Sequence, residues 1–439
     1  MTQAGTAWPA LEFTDLLANP SGERPFPLIG DLPCLYPDPA ARISLWRRRW
    51  RNELQQLEAE QARLKPAVAA AQGASRDRLK QRFDGLSGQR RLLEQVLAPL
   101  LNQQSPDAGA AGALAMNPDP GWYRYDANPF RDWCWGEAEN AATLSQLLLA
   151  LTDRPQHVLQ LGSGAGRLAY DLHRSLEPAM TVAVEHNPLL ALLGAQLAEG
   201  GTQQLWEFPL SPISVADTAV QHTLSRPAHH GPLQTGLITV LADVLSLPFR
   251  PGQFDLVVTS WFSDICPAPV PWLCTTIGAL LRPGGLWINH GSAAFDSATI
   301  QDCGSLTELL AIAEQAGLSL SYAADVDLPY LQSPYSRQQR IERVGTQAFR
   351  KPASALTPEQ LTPFEPRRPN WAEDATVPIA ASRAFAEQRE ASALRTFILS
   401  MVDGKRSRRD IAEQLAARGI LPAADAEAAL TELLLTIQQ

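Results

Sequence analysis

The chain has 439 residues and a formal net charge of −9. That length exceeds one ordinary core and suits a central domain with two flanking modules. The acidic balance offers no field to draw nucleic acid or an anionic membrane, and no run of ~20 apolar residues marks a membrane span. The opening MTQAGTAWPALEF lacks the charged start and apolar run of a signal peptide. Cys34, Cys134, Cys266, Cys274 and Cys303 are scattered and form no CxxC pair. Neither a metal site nor a disulfide framework is indicated. A cytoplasmic protein without nucleic-acid or membrane partners is expected.

Residues 1–38 are rich in Pro and Gly, and PFPLIGDLPCLYPD reads as short strands joined by turns. This ribbon-like module resembles the small zinc-ribbon-like unit that accompanies some methyltransferases. Only Cys34 stands as a ligand there, so it is expected to be metal-free. Residues 39–107 change to charged and apolar residues at helical spacing, which predicts a helical hairpin with small residues near 70–75 between its arms. The arginines at 47–49 alternate with Trp46 and Trp50 and read as a solvated helix face. AGAAGALAMNPDPG is a linker. Residues 122–352 follow, with short apolar runs and helical patterns in the alternation that a parallel α/β sheet requires. After a second Pro-rich linker, 373–439 reads as a small helical domain with Ser407 as a helix cap.

The central signal is HVLQLGSGAGRLAYDL. VLQL is a buried strand, and Gly162, Gly164 and Gly166 make a tight turn into a helix starting near Arg167. Glycine is needed where a cofactor approaches the backbone. TVAVE then ends in Glu185, an acid placed to accept ribose hydroxyls. LITVLAD ends in Asp243, placed for an adenine amino group. FDLVVTSWFSDI and LLRPGGLWINHG supply two more strands. Nucleotide oxidoreductases use a similar turn, so an NAD enzyme is a rival, although nothing downstream looks like a hydride-transfer site.

Taken together and in order, these elements resemble class I S-adenosylmethionine-dependent methyltransferases. The resemblance implies an α/β, Rossmann-like doubly wound sheet. It also extends the cofactor set to Ser163, Arg167, His186, Asn187, Val244 and Ser260. PFRDWCWGEAEN, SWFSDICP and LRPGGLWINHGSAAF look like the carnosine N-methyltransferase family, and the likeness covers most of 129–351. It implies methylation of an imidazole nitrogen, the π nitrogen in that family. Arg131 and Trp133 would lie in a flap over the cofactor, with Arg131 near its carboxylate.

Asp264, just past the fourth strand, would accept the other ring N–H of the acceptor. His290 would orient Asp264 or the substrate. Phe262, Tyr330 and Tyr335 would line the substrate pocket. Against these stand plainer readings: Asp264 as a helix cap, His290 as a hydrogen-bonded strand histidine, Arg131 in a structural pair with Asp132, and the tyrosines as packing. The chain departs from the family at Arg340 and Glu342, where tyrosines are expected, and in reading GSGAGR at the turn. The acceptor is therefore expected to be a small histidine derivative, such as the 5-thiohistidine of ovothiol synthesis or a carnosine-like dipeptide. LRTFILSMVDGKRSRRDIAEQL resembles PqqD-like peptide-holding domains, which implies a recruited peptide as an alternative acceptor. A non-catalytic scaffold is the reading from another class, and a homodimer is compatible with the sequence.

Overall fold

The protein is described from a computed structural model covering residues 26–103, 127–293, 295, 303–364 and 393–420, with 422, 426, 427, 430, 431 and 434 beyond them. Its centre is set by three strands with almost no polar interruption: β3 (His157–Leu161), β4 (Met180–Glu185) and β8 (Phe254–Ser260). Strands buried on both faces read as continuous apolar runs because helices cover each side of the sheet. With β7 (Leu237–Leu241), β9 (Leu281–Gly291), β10 (Ser319–Pro329) and β11 (Ile341–Arg350) they form a seven-stranded sheet in the order β10-β11-β9-β8-β3-β4-β7.

Strands β7, β4, β3, β8 and β9 run parallel, while β11 and β10 return antiparallel at one edge. The chain builds outward from β3 through β4 to β7, then crosses back to lay β8 on the other side of β3. That reversal falls at the carboxyl ends of β3, β4 and β8, the crevice position at which doubly wound sheets bind ligands. The fold is the mixed α/β, Rossmann-like one expected.

The amino-terminal segment joins this sheet. β1 (Leu28–Ile29) and β2 (Leu32–Pro33) form a small hairpin, and the Leu35 N–H then donates to the Leu241 carbonyl at 2.7 Å, beside β7. Two long helices follow, α1 (Pro39–Ala70) and α2 (Gly73–Val96). Asp38 caps α1 by accepting the Ala41 N–H, and Pro39 supplies a first-turn residue with no N–H to satisfy. Ile43, Trp46, Trp50, Leu54 and Leu57 make one apolar stripe. It packs with Leu86 and Leu93 of α2 and with Leu189, Leu190, Leu193 and Leu197 of α5 (Pro188–Ala198). The first 365 residues cluster as one compact unit and the remainder as another.

A hairpin has no counterpart in the sequence reading, nor has β10. β5 (Thr202–Glu207) and β6 (Val220–Ser225) form an antiparallel hairpin between α5 and β7. The carboxyl-terminal unit has its own core of Ile398, Met401, Ile411, Leu415 and Leu430. Its helix α7 (Arg408–Ala417) opens with a capping box between Ser407 and Asp410. Among its described residues no strand is present. No helix among the described residues is long and apolar enough to cross a membrane.

Candidate cofactor and substrate site

The turn after β3 is fixed from several sides. The Ser163 N–H donates to the Val184 carbonyl at 2.9 Å, and the Trp133 Nε1–H donates to the Ala165 carbonyl at 2.7 Å. Gly164 and Gly166 both hold left-handed backbone, with φ of 57° and 83°. They do different work. A Cβ on Gly164 would meet nothing within 4 Å, so its open side faces room for a ligand. A Cβ on Gly166 would stand 3.2 Å from the Gly194 Cα, so that glycine lets α4 (Arg167–Leu176) pack against α5. Gly162 lies against the Phe262 ring. The Ser163 hydroxyl is buried beside this turn with no hydrogen-bond partner, an orphan that a bound polar group would satisfy.

Glu185 ends β4 at the carboxyl edge of the sheet. Its Oε1 accepts the N–H groups of His186 and Asn187, each at 2.8 Å, and its Oε2 accepts the Gly164 N–H at 2.7 Å. An ionised carboxylate has room for about four hydrogen bonds, so acceptor capacity remains for a ribose hydroxyl. Asn187 caps α5 through the Leu189 N–H. His186 meets the amino-terminal module: its carbonyl accepts the Tyr36 hydroxyl at 2.7 Å, and the Trp46 ring stands edge-on 5.2 Å away.

Asp243 follows β7 and caps the short turn Val244–Ser246 through the Leu245 N–H. Its Oδ2 also pairs with Arg42 of α1 at 3.0 Å. An adenine amino group at Asp243 would therefore share its acceptor with Arg42. That link, like Tyr36 and Trp46, makes the amino-terminal module a wall of the crevice.

Burial pushes the Glu185 carboxyl up to about 7, against the three N–H bonds that pull it down. Its proton is held more tightly in the folded chain than in the unfolded one. Its contribution to stability therefore falls as pH rises from ~4.3 toward that value and is level above it. Ribose hydroxyls favour the ionised form, so nucleoside affinity is expected to move the opposite way. Affinity for S-adenosylhomocysteine should weaken by roughly tenfold per pH unit on the acid side of that value and flatten above it. Calorimetric titration across this range measures it, and Glu185→Gln should remove the slope.

The segment before α3 (Glu137–Leu149) is a π-helical turn, Arg131–Trp135, and not a free flap. Trp133 is buried, packed edge-on to Tyr170, and holds the glycine turn through Ala165. Arg131 donates to Asp132 at 2.7 Å and to Glu139 at 3.3 Å, the structural pairing that competed with a cofactor contact. Arg167 is spent in the same way. Its Nε meets Asp171 at 2.8 Å, one terminal nitrogen meets Glu137 at 2.7 Å, and the other meets the Asp132 carbonyl at 2.8 Å. These groups brace the turn from behind.

On the far side of the crevice, Ser260 ends β8 in register with His290 of β9. Asp264 is half-buried in the turn beyond it. The next helix, α6 (Val270–Leu280), has Pro269 at its N-cap position and no side-chain capping bond, so Asp264 is not its cap. His290 is buried, and its Nδ1 lies 2.9 Å from the Thr346 hydroxyl of β11. Its Nε2 has no hydrogen-bond partner, so no such bond joins the His290 ring to Asp264. Burial pushes this imidazole down to about 4, which keeps it neutral.

Trp261 holds φ of 53° and packs at a tilt against Tyr330 with ring centroids 4.3 Å apart, and the Arg340 guanidinium lies over the Tyr330 ring at 4.9 Å. Arg340 in turn pairs with Glu342. The positions where tyrosines were expected thus hold an ion pair beside Tyr330. Tyr335 goes elsewhere, against His222 of the β5–β6 hairpin at 5.2 Å. The structure brings Tyr330 to the β8 edge and separates Tyr335 from it in its contacts. Trp261, Arg42 and Tyr36 were not singled out by the sequence. Trp261 lies within SWFSDICP and Tyr36 within PFPLIGDLPCLYPD, stretches read for other residues, whereas Arg42 belongs to no motif.

No protein-family profile and no curated protein matches the chain. Solved structures do resemble it. One is the N-methyltransferase NodS from Bradyrhizobium japonicum with S-adenosylhomocysteine, at 15% identity over 53% of this chain and 98% of that one, with a TM-score of 0.34. Another is a S-adenosylmethionine-dependent methyltransferase from Methanosarcina mazei, at 12% identity over 47% of this chain and 96% of that one, with a TM-score of 0.31. Likeness at this level carries nothing about cofactor or substrate, which rest on the residues above.

Proposed function

We propose that the chain is a methyltransferase that uses S-adenosylmethionine and methylates an imidazole nitrogen of a small histidine derivative. The observation that carries the cofactor half is Glu185. It is a carboxylate locked by three backbone N–H groups at the end of β4, beside the open face of Gly164. The orphaned Ser163 hydroxyl and the open Gly164 face fit a nucleoside-bearing ligand. Glu185 would hold the ribose, Asp243 the adenine amino group, and the turn backbone the remainder.

S-adenosylmethionine, when bound, supplies an electrophilic methyl group. The chain need only position a nucleophile. Neutral imidazole is already competent near neutral pH, since its unperturbed pKa is ~6.5. Asp264 would accept the ring N–H that faces away from the methyl group. That selects the tautomer and offsets the charge that develops on the ring. Phe262 and Tyr330 would flank the acceptor, and His290 would serve from behind as a neutral, buried support. Orientation in such a crevice supplies effective molarities of up to ~10⁵ M or more.

The acceptor is found by a mass-spectrometric assay with histidine, carnosine, 5-thiohistidine and short histidine peptides. The expected result is one methyl group added to one small imidazole compound, with turnover retained after deletion beyond residue 372. Turnover of peptides alone, lost with that deletion, would move the acceptor to a peptide held by the tail. Asp264→Asn is expected to lower kcat by ~10²-fold or more while S-adenosylhomocysteine affinity stays within a few-fold. Near-normal turnover in that variant would remove Asp264 from the mechanism.

A further inference from the structure

Apart from the crevice, three side chains from separate stretches form a line. Cys134 lies in the π-helical turn, Glu207 ends β5, and His222 sits on β6. The hairpin register pairs His222 with Leu205, so Glu207, two residues further along β5, shares its face as a diagonal neighbour. The Cys134 Sγ is 3.4 Å from His222 Nδ1, and His222 Nε2 is 2.7 Å from Glu207 Oε2. Trp135 donates to the same Glu207 oxygen at 3.3 Å.

The imidazole also lies against two rings, Phe130 and Tyr335, each with its centroid at 5.2 Å. A carboxylate at one nitrogen and aromatic rings alongside favour the imidazolium. Burial opposes that charge, but the bonds to Cys134 and Glu207 outweigh it and push His222 up to about 9. The groups facing His222 are thus Glu207 from β5, Cys134 from the turn before α3, and Tyr335 from the loop before β11.

Such a chain is the arrangement that activates a thiol, because an imidazolium at hydrogen-bond range stabilises the thiolate. Cys134 is exposed, whereas Cys34, Cys266, Cys274 and Cys303 are buried. Burial pushes Cys34 and Cys274 up to about 12 and Cys266 to about 11, so they are inert internal references. We propose that Cys134 is a nucleophilic thiol activated by His222 and Glu207, and that it is a site of oxidation to the sulfenic acid by small hydroperoxides. The thiolate sulfur attacks one peroxide oxygen. An S–O bond forms, the O–O bond breaks, and sulfur gives up two electrons. The departing oxygen takes a proton from the His222 imidazolium and leaves as water or an alcohol. This site stands independently of the methyl donor.

The test uses the full chain, with iodoacetamide alkylation of Cys134 followed by peptide mass spectrometry across pH. At pH ~6.5 the wild-type rate should exceed that of His222→Phe by roughly tenfold, the gain in thiolate being partly offset by its lower nucleophilicity. Glu207→Gln, the milder change, should fall between them. After hydrogen peroxide, dimedone should label Cys134 in the wild type and nothing at that position in Cys134→Ser. An alkylation midpoint at the ordinary ~8.5 that neither variant shifts would overturn the proposal. So would a fast-alkylating Cys134 that hydrogen peroxide leaves unlabelled by dimedone.

Discussion

Glu185→Gln is expected to raise the dissociation constant for S-adenosylhomocysteine by ~10²-fold or more, with the fold retained. Hydrogen bonds to a charged acceptor are worth about 1.5–3 kcal/mol each, and a ribose offers a pair of hydroxyls. The substitution keeps shape and removes charge. Its amide oxygen can still take the N–H groups of His186 and Asn187, which share Oε1 in the wild type. Its NH₂ group then faces the Gly164 N–H, a donor against a donor, where Oε2 had accepted. That costs stability, but the variant no longer buries a carboxylate that the fold already pushes toward neutrality. Thermal melts should therefore show a modest shift while calorimetry shows the large loss. Wild-type affinity in this variant would show that the end of β4 is not a ribose site.

The second large effect separates two glycines of the same turn. Gly164→Ala should fold, since its Cβ meets nothing within 4 Å and only the left-handed φ of 57° is penalised, by roughly 1–2 kcal/mol. The new methyl group would project into the space that the ligand needs, so binding should weaken by about tenfold or more. Gly166→Ala should instead damage the fold. Its Cβ would press on the Gly194 backbone at 3.2 Å at a φ of 83°, and strain of this kind costs about 1–3 kcal/mol beyond the conformational term. Urea unfolding with ligand titration distinguishes the two. Intact binding in a stable Gly164→Ala protein would place the ligand elsewhere.

Much of this arrangement was legible before the fold was seen. HVLQL, TVAVE, LITVL and FDLVVTS were legible as strands because they are short, mainly apolar runs rich in β-branched residues, as a sheet covered by helices requires. The glycine turn and Glu185 follow from the same logic, since each lies where a parallel strand ends. The charged, Trp-bearing stretch from Pro39 showed its helices through periodicity.

What the sequence hid was contact between distant parts. Arg131, Trp133 and Arg167 sit in motifs that suggest ligand contact. Their partners in the fold are Asp132, Glu137, Glu139, Asp171 and the Ala165 carbonyl. The neighbouring Arg131–Asp132 pair and the i,i+4 Arg167–Asp171 pair were open to spacing, whereas Glu137 and the Ala165 carbonyl meet Arg167 and Trp133 from about 30 residues away. Arg42 and Tyr36 reach the crevice across gaps of 201 and 150 residues. The β5–β6 hairpin escaped because TQQLWE and VQHTLS are polar on one face and flanked by a long irregular stretch. Its loss concealed the Cys134–His222–Glu207 line as well.

The most direct measurement is equilibrium binding of S-adenosylhomocysteine to the full chain, set beside NAD. Both carry an adenine and a ribose, but only the first matches a methyl-transfer site. Saturable one-to-one binding of S-adenosylhomocysteine with none of NAD is the expected result. Failure to bind S-adenosylhomocysteine, or binding of NAD in its place, would contradict the methyltransferase reading at its root.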